Sequence, residues 1–327
     1  MTQGTHRDLP PHNDTIRQGI HGVNVGPKIS LSSGSLFTLP LQRAFELAVE
    51  SGFDGVELII NQDFQRVNPV KLVRSLQEIA PINSIHAPFM PLDGWGDPME
   101  SLQLSINLAA ETGIPLVNFH PPSWMGLEIR FWRWLYKVQD FQKEVGLDGQ
   151  VLVTIENMPW VGPFGMNPNI LSSTQDMIRF INDHNLYLTF DTTHMGSGKA
   201  NFIDDFYQFY NSGRIRNIHF SDYGYGKEHL VPGQGYLPIT RFLNHLQHTD
   251  YHGCITLEMS PHEFPKNEKL ILRGLKELQV YARVETGQLP TEAMLEFERL
   301  PEMAGVITES KNEKETTFET RSNRATE

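Results

Sequence analysis

Eight times between Lys28 and Glu285 a short β-rich apolar run gives way to a longer segment of helical periodicity, and no other feature of the chain restricts its fold as strongly. The strand candidates are KISLSS, GVELII, NSIHA, LVNFH, VLVTIE, LYLTFD, IRNIHFS and CITLEM. Parallel strands need a crossover between them, usually a helix, so this alternation predicts a parallel sheet covered by helices. Eight units in roughly 250 residues suit a sheet closed on itself, an α/β chain of the (β/α)8 barrel type. Helix starts are legible at Pro40, Asn68-Pro69, Asp97-Pro98 and Pro238. Asn and Asp accept the free N–H groups of a first turn, and Pro is already set for it. Gly52 and Gly113 stand where helices should stop.

No Gly-rich linker or charge block interrupts residues 28–285, which predicts one barrel domain flanked by extensions at 1–27 and 286–327. The last stretch, ESKNEKETTFETRSNRATE, is polar and expected to be largely disordered, while PTEAMLEFERL before it suggests one short helix. A formal net charge of −12 argues against nucleic acid and anionic lipid, which are held mainly by Lys and Arg, and favours a small-molecule partner. No apolar run approaches the roughly 20 residues of a membrane span. The start of the chain lacks the basic and apolar pattern of a secretory signal, so a cytoplasmic location is expected. The single cysteine, Cys254, has no internal partner and reads as a small buried side chain in a strand.

Six consecutive strand candidates end on a metal-ligating side chain: His86, His120, Glu156, Asp191, His219 and Glu258. In a closed parallel barrel the carboxyl ends of all strands meet at one mouth, so these residues should converge. Glu156, Asp191, His219 and Glu258 make a mostly oxygen site that suits Mn, Mg or Co. A cation there would polarise a carbonyl, and a carboxylate could then remove the proton from the adjacent carbon. Glu156 and Glu258, expected to face each other across the mouth, are the candidate catalytic pair. His86 and His120 form a nitrogen-richer group with Glu156, closer to zinc preference. Two cations sharing Glu156 would suit phosphodiester hydrolysis instead.

In order and spacing the motifs HAP at 86–88, HPP at 120–122, EN at 156–157, DTTH at 191–194, HFSD at 219–222, HLVPGQGYL at 229–237 and LEM at 257–259 resemble those of the xylose isomerase-like TIM barrel superfamily. That superfamily includes ketose 3-epimerases, sugar-phosphate isomerases and endonuclease IV. Resemblance to the epimerases implies a divalent metal on Glu156, Asp191, His219 and Glu258, proton exchange by Glu156 and Glu258, and a sugar contact from His194. It also places Glu57 and Asn157 near the sugar; for Glu57 a bond to neighbouring backbone is the alternative. Pro232, Gly233 and Gly235 match the family's PGxG turn. Resemblance to endonuclease IV implies two zinc ions on the six strand-end residues and a third near His194 and His229. Where that family has Asp-x-His this chain has Lys227-Glu228-His229, which removes a carboxylate unless Glu228 replaces it.

Phe89, Trp95, Trp124, Trp160 and Tyr223 could line the mouth and stack on a sugar, the alternative for each being packing. EIRFWRWLYK reads as an outer helix, and Lys227 or Arg241 could meet a substrate phosphate. The expected function is a divalent-metal-dependent isomerase or epimerase of a sugar, sugar phosphate or related polyhydroxy carbonyl compound, acting through a metal-held enediolate. The alternatives are a zinc-dependent phosphodiester hydrolase of the endonuclease IV type and a barrel kept as a non-catalytic subunit, with oligomeric state left open.

Overall fold

The computed structural model describes residues 26–124, 128–161, 166–198 and 202–298. In chain order the elements are β1 (Lys28–Ser32), α1 (Leu41–Ser51), β2 (Gly55–Ile59), α2 (Pro69–Gln77), β3 (Ile82–His86), α3 (Pro98–Thr112) and β4 (Leu116–Phe119). Next come α4 (Ile129–Leu135), α5 (Phe141–Glu144), β5 (Leu152–Glu156), α6 (Thr174–Asp183), β6 (Tyr187–Asp191), α7 (Thr192–Ser197), α8 (Phe202–Asn211) and β7 (Ile215–Phe220). The chain continues through β8 (Asp222–Gly224), β9 (Lys227–Leu230), α9 (Ile239–His248), β10 (Cys254–Leu257), α10 (Glu268–Glu285) and α11 (Glu292–Glu298). The closed barrel runs β1-β10-β7-β6-β5-β4-β3-β2, all neighbours parallel. All eight expected strands are present in one (β/α)8 domain.

The helix boundaries follow the local chemistry. Asn68 accepts from Lys71 N–H, and Asp97 accepts from Met99 and Glu100 N–H while Glu100 returns a bond to Asp97 N–H. Gly52 and Gly113 end α1 and α3 at φ +87° and +74°. The outward face of the strands packs on the helices: Leu188, Phe190, Ile218 and Phe220 are buried against Phe206, Phe209 and Phe242. The outer helix expected in EIRFWRWLYK is α4, and the short α5 follows it outside that segment. Phe131, Leu135 and Phe141 are buried, and Ile129, Trp132 and Tyr136 remain exposed.

Three elements lie outside the simple alternation. The helix α7 follows β6 without a gap, and β8 and β9 form an antiparallel hairpin above the mouth. Its turn is Tyr225-Gly226, both at positive φ, the signature of a two-residue hairpin loop. The helix expected in PTEAMLEFERL is α11. Residues 1–25 and 299–327, which hold most of the expected extensions, lie outside the described residues. No described helix is long and apolar enough to cross a membrane.

Candidate metal centre

Successive side chains of a strand point to opposite faces, so each strand-end ligand has a partner two residues earlier that also faces the barrel interior. Those partners are polar: Ser84 before His86, Asn118 before His120, Thr154 before Glu156, Thr189 before Asp191, Asn217 before His219 and Thr256 before Glu258. They form a bonded layer beneath the ligands. Thr154 Oγ1 meets Thr189 Oγ1 at 2.8 Å and donates to Asn118 Oδ1, and Asn118 Nδ2 donates to Glu156 Oε2. Thr256 Oγ1 donates to Asn217 Oδ1 at 2.9 Å. The sequence reading passed over this layer, although its signal is plain: a polar residue at position i−2 of every ligand.

Above it, three carboxylates surround one imidazole nitrogen. His219 Nδ1 lies 2.8 Å from Glu258 Oε2, 3.4 Å from Glu156 Oε1 and 3.7 Å from Asp191 Oδ2. The β5 and β10 strands are not opposite one another, as had been expected of the two glutamates, because only β6 and β7 separate them around the ring. Glu156 and Glu258 meet because both turn inward over His219. Donor atoms of Glu156, Asp191, His219 and Glu258 all lie within 4.8 Å of one another. His219 Nδ1 and Nε2, Asp191 Oδ2 and Glu57 Oε1 are buried with no hydrogen-bond partner; a bound cation would relieve Nδ1 and Asp191 Oδ2, while Nε2 and Glu57 Oε1 stand 2.9 Å apart without hydrogen-bond geometry. Three oxygens and a nitrogen suit a divalent cation, so the residues present fit the expected metal.

Two further groups adjoin this one. His86 Nδ1 faces its neighbour's carbonyl, Ala87 O, at 2.8 Å, so a proton on Nδ1 is donated there. His86 Nε2 lies 3.2 Å from His120 Nε2 and 3.3 Å from Glu156 Oε2, forming the His86–His120–Glu156 group. The other group is Asp191, His194 and His229. Its carboxylate is Asp191, and Glu228 lies near enough to add to the upward shift of His194. His229 Nδ1 lies 3.2 Å from Glu258 O, and His194 Nδ1 lies 3.0 Å from Asn157 O.

The electrostatics reflect crowded acids. Burial works to raise Glu156, yet His219, His120 and His194 hold its carboxyl well below the ordinary range. Glu258 is likewise lowered against burial by His219, whereas burial wins at Asp191, which is raised. Burial opposes protonation of the imidazoles, but Asp191 and Glu156 push His194 up to about 10, and Glu57, Glu258 and Glu156 hold His219 well above its ordinary value. Burial lowers His120. The site thus holds an excess of negative charge that calls for positive charge from protons or a cation.

Four expected substrate contacts are placed differently from one another. Glu57 is fully buried beneath His219, its Oε2 accepting from Ser84 Oγ and Asn217 Nδ2, which corrects both the expected sugar contact and the backbone alternative. Both ends of the Asn157 amide engage Asp191, with Nδ2 donating to Asp191 O and Oδ1 accepting from Asp191 N–H, which leaves one N–H and one lone pair of the amide free. Trp124 is 51% exposed, its Nε1 donating to Asn167 O. Trp160 is half-buried, where a Cβ at Gly198 would strike its ring. Of the other aromatics, Trp95 is packed edge-on against Phe64 and Tyr223 against Tyr236. Phe89, 52% exposed, lies over His86 and His120 with ring centroids 5.6 and 5.4 Å away. Lys227 and Arg241 are exposed. Cys254 is half-buried, its sulfur 3.1 Å from Ser30 Oγ and 3.6 Å from Thr256 Oγ1.

Asp222, missed by the sequence reading, ties down the PGxG turn. Its Oδ2 accepts from Gly233 and Gly235 N–H and its Oδ1 from Tyr223 and Leu237 N–H. A side chain at Gly235 would collide with Asp222 Oδ1 and Tyr223 O.

A closed parallel barrel with a buried acid and imidazole cluster at the carboxyl ends of its strands defines an α/β barrel protein built around a candidate cation site. The sequence model of the xylose isomerase-like TIM barrel family matches residues 45–280, and the chain belongs to that family. An uncharacterized protein of Mycobacterium leprae (strain TN) is 28% identical over 265 residues, covering 71% of this chain and 89% of its own. Among solved structures, a D-tagatose 3-epimerase-like protein aligns with TM-score 0.58 at 20% identity, covering 80% of this chain and 99% of that one. An AP endonuclease, family 2, from Brucella melitensis aligns with TM-score 0.59 at 15% identity, covering 75% and 96%. At such identities these likenesses speak for the fold.

Proposed function

We propose that this chain is a divalent-metal-dependent isomerase or epimerase of a sugar, a sugar phosphate or a related polyhydroxy carbonyl compound. The observation that carries the reading is the convergence of Glu156, Asp191 and Glu258 on His219 Nδ1, at 3.4, 3.7 and 2.8 Å. Glu156, Asp191, His219 and Glu258 would hold the cation, with Mn, Mg or Co suited to the oxygen-rich set. When bound, the cation polarises the substrate carbonyl and makes the adjacent C–H more acidic.

The chain's own groups then divide the work. Glu258, with 17% of its side chain exposed against 1% for Glu156, is the more exposed of the two carboxylates. Histidines hold both glutamates below the ordinary carboxylate range, so both are ionised near neutrality. One removes the proton from one face of the substrate carbon and the other returns it. His194 and His229, whose rings lie 5.3 Å apart beside Asp191, orient substrate hydroxyls, while Phe89 lies beside His86 and His120.

The neighbouring His86–His120–Glu156 group favours a second reading, a zinc-dependent phosphodiester hydrolase, since it shares Glu156 with the first site. The structural likeness to an AP endonuclease family 2 protein agrees with that reading as well as the likeness to an epimerase-like protein agrees with the first.

One experiment separates them. Protein loaded with Mn2+ or Co2+ is incubated with ketoses, aldoses and cyclitol-type ketones in deuterated water, and zinc-loaded protein is incubated with abasic DNA. Deuterium at the carbon beside the carbonyl is the expected outcome, falling by roughly a hundredfold or more in Glu258→Gln with the circular dichroism spectrum unchanged. Near-normal exchange in that variant removes Glu258 from the mechanism. DNA cleavage without exchange replaces the proposal with the hydrolase, and protein that holds metal but does neither is a non-catalytic barrel.

A further inference from the structure

Beneath the candidate cation site lies a carboxylate that no step of the proposed reaction uses. Glu57 is fully buried, as is His219. Its Oε2 accepts from Ser84 Oγ at 2.8 Å and from Asn217 Nδ2 at 2.9 Å, and its Oε1 stands 2.9 Å from His219 Nε2. The orientation of Asn217 is itself set, because its Oδ1 accepts the backbone N–H of Ile218 at 3.0 Å and the hydroxyl of Thr256 at 2.9 Å. A backbone N–H can only donate, so Oδ1 must be the oxygen and Nδ2 the group that donates to Glu57.

We infer that Glu57 is a positioning residue: it fixes the His219 proton on Nε2 and so turns the Nδ1 lone pair towards the cation site. With a cation on the Nδ1 side the ring keeps a single proton, on Nε2, and Glu57 Oε1, a carboxylate oxygen that can only accept, stands 2.9 Å from that nitrogen. An imidazole protonated only at Nε2 keeps its lone pair at Nδ1, the atom that faces Glu156, Asp191 and Glu258. A carboxylate behind a ligating histidine also raises its basicity as a ligand. Glu57 comes from β2 and His219 from β7, so barrel closure is what brings them together. The inference rests on the cation site proposed above.

The test exploits the polarity of this chain of bonds. In Glu57→Gln the two donors, Ser84 and Asn217, hold the amide oxygen at the former Oε2 position and leave the NH2 facing His219 Nε2. Two N–H groups cannot face each other, so the histidine proton is driven to Nδ1, where the cation should bind. Adding Asn217→Asp reverses the polarity: the new carboxylate accepts from the glutamine NH2, still accepts from Ile218 and Thr256, and lets the glutamine oxygen turn to His219. The double variant also restores the lost negative charge.

Co2+ affinity is measured by chelator competition, with the visible absorption of bound Co2+ recorded alongside. Glu57→Gln is expected to bind Co2+ roughly 10–100-fold more weakly with an altered spectrum. The Glu57→Gln, Asn217→Asp double variant is expected to recover most of that affinity and the wild-type spectrum. Unchanged affinity and spectrum in Glu57→Gln overturns the inference while leaving the cation site intact. If Glu57→Gln does not fold, the double variant decides alone: wild-type-like Co2+ binding supports the inference, and a folded double variant that binds weakly overturns it. Wild-type protein that takes up no Co2+ overturns both the proposed site and the role given to Glu57.

Discussion

Individual side chains here are governed by what they were buried with. Cys254 looked like a small apolar strand residue, but the strand partner of its neighbourhood is hydroxylic, with Ser30 and Thr256 at its sulfur. Burial nevertheless dominates and pushes the thiol up to about 11, the two hydroxyls working in the opposite direction. The thiolate is the reactive form, so at pH 8 native Cys254 should react with iodoacetamide about a hundredfold more slowly than the same residue in the urea-unfolded chain. The pH dependence has a definite sign. Below about pH 9 both states keep the proton and this residue adds no pH dependence; between about 9 and 11 the unfolded chain gives it up while the fold retains it, so stability falls. Labelling followed by mass spectrometry, and urea melts across that window compared with Cys254→Ala, check both statements. Equal labelling of native and unfolded protein refutes them.

The strands were legible because a period of two is written into each one, and the ligands were legible because they close six strands in succession. The hairpin β8–β9 and the turn after it were not foreseen, since Tyr225-Gly226 is a weak turn signal inside a run of aromatics and glycines. What holds that region is one buried carboxylate. Asp222 accepts four backbone N–H groups spread over residues 223–237, at 2.8–3.1 Å, and although it closes the HFSD motif, nothing local in that motif points to a turn more than ten residues away. Replacing it with Ala leaves those donors without a charged acceptor. We expect a loss of roughly 3 kcal/mol in urea unfolding, with faster amide exchange at Gly233, Gly235 and Leu237. Because the turn follows His229 directly, loosening it should also disturb the Asp191–His194–His229 group while sparing the opposite side of the barrel. A variant with unchanged stability and exchange would show that water or rearranged loop groups satisfy the same donors.

At the scale of the whole molecule, barrel closure gathers buried acids that repel one another, with only imidazoles to balance them among the described ligands. A cation that binds this assembled set and not the unfolded chain must stabilise the fold. At a free metal concentration a hundredfold above its Kd the gain is about 2.7 kcal/mol. For a domain of this size that corresponds to a rise of about 5–10 °C in Tm, reversed by chelator. Calorimetry with Mn2+ or Co2+ tests this; no shift in any divalent metal would mean that the cluster is held together by protons alone.

Local periodicity alone determined the alternation of strands and helices, the helix caps at Asn68 and Asp97, and the six ligands at strand ends, since each depends on residues only a few positions apart. The tertiary structure decided which atoms meet. Glu57 and Asn217 are 160 residues apart and bond only because the barrel closes, and the same closure bonded Asn157 to Asp191, divided the six strand-end ligands into two groups that share Glu156, and joined His194 and His229 to Asp191 in a third. The direction of a hydrogen bond and the tautomer of an imidazole are properties of pairs, and such pairs exist only once the strands stand side by side.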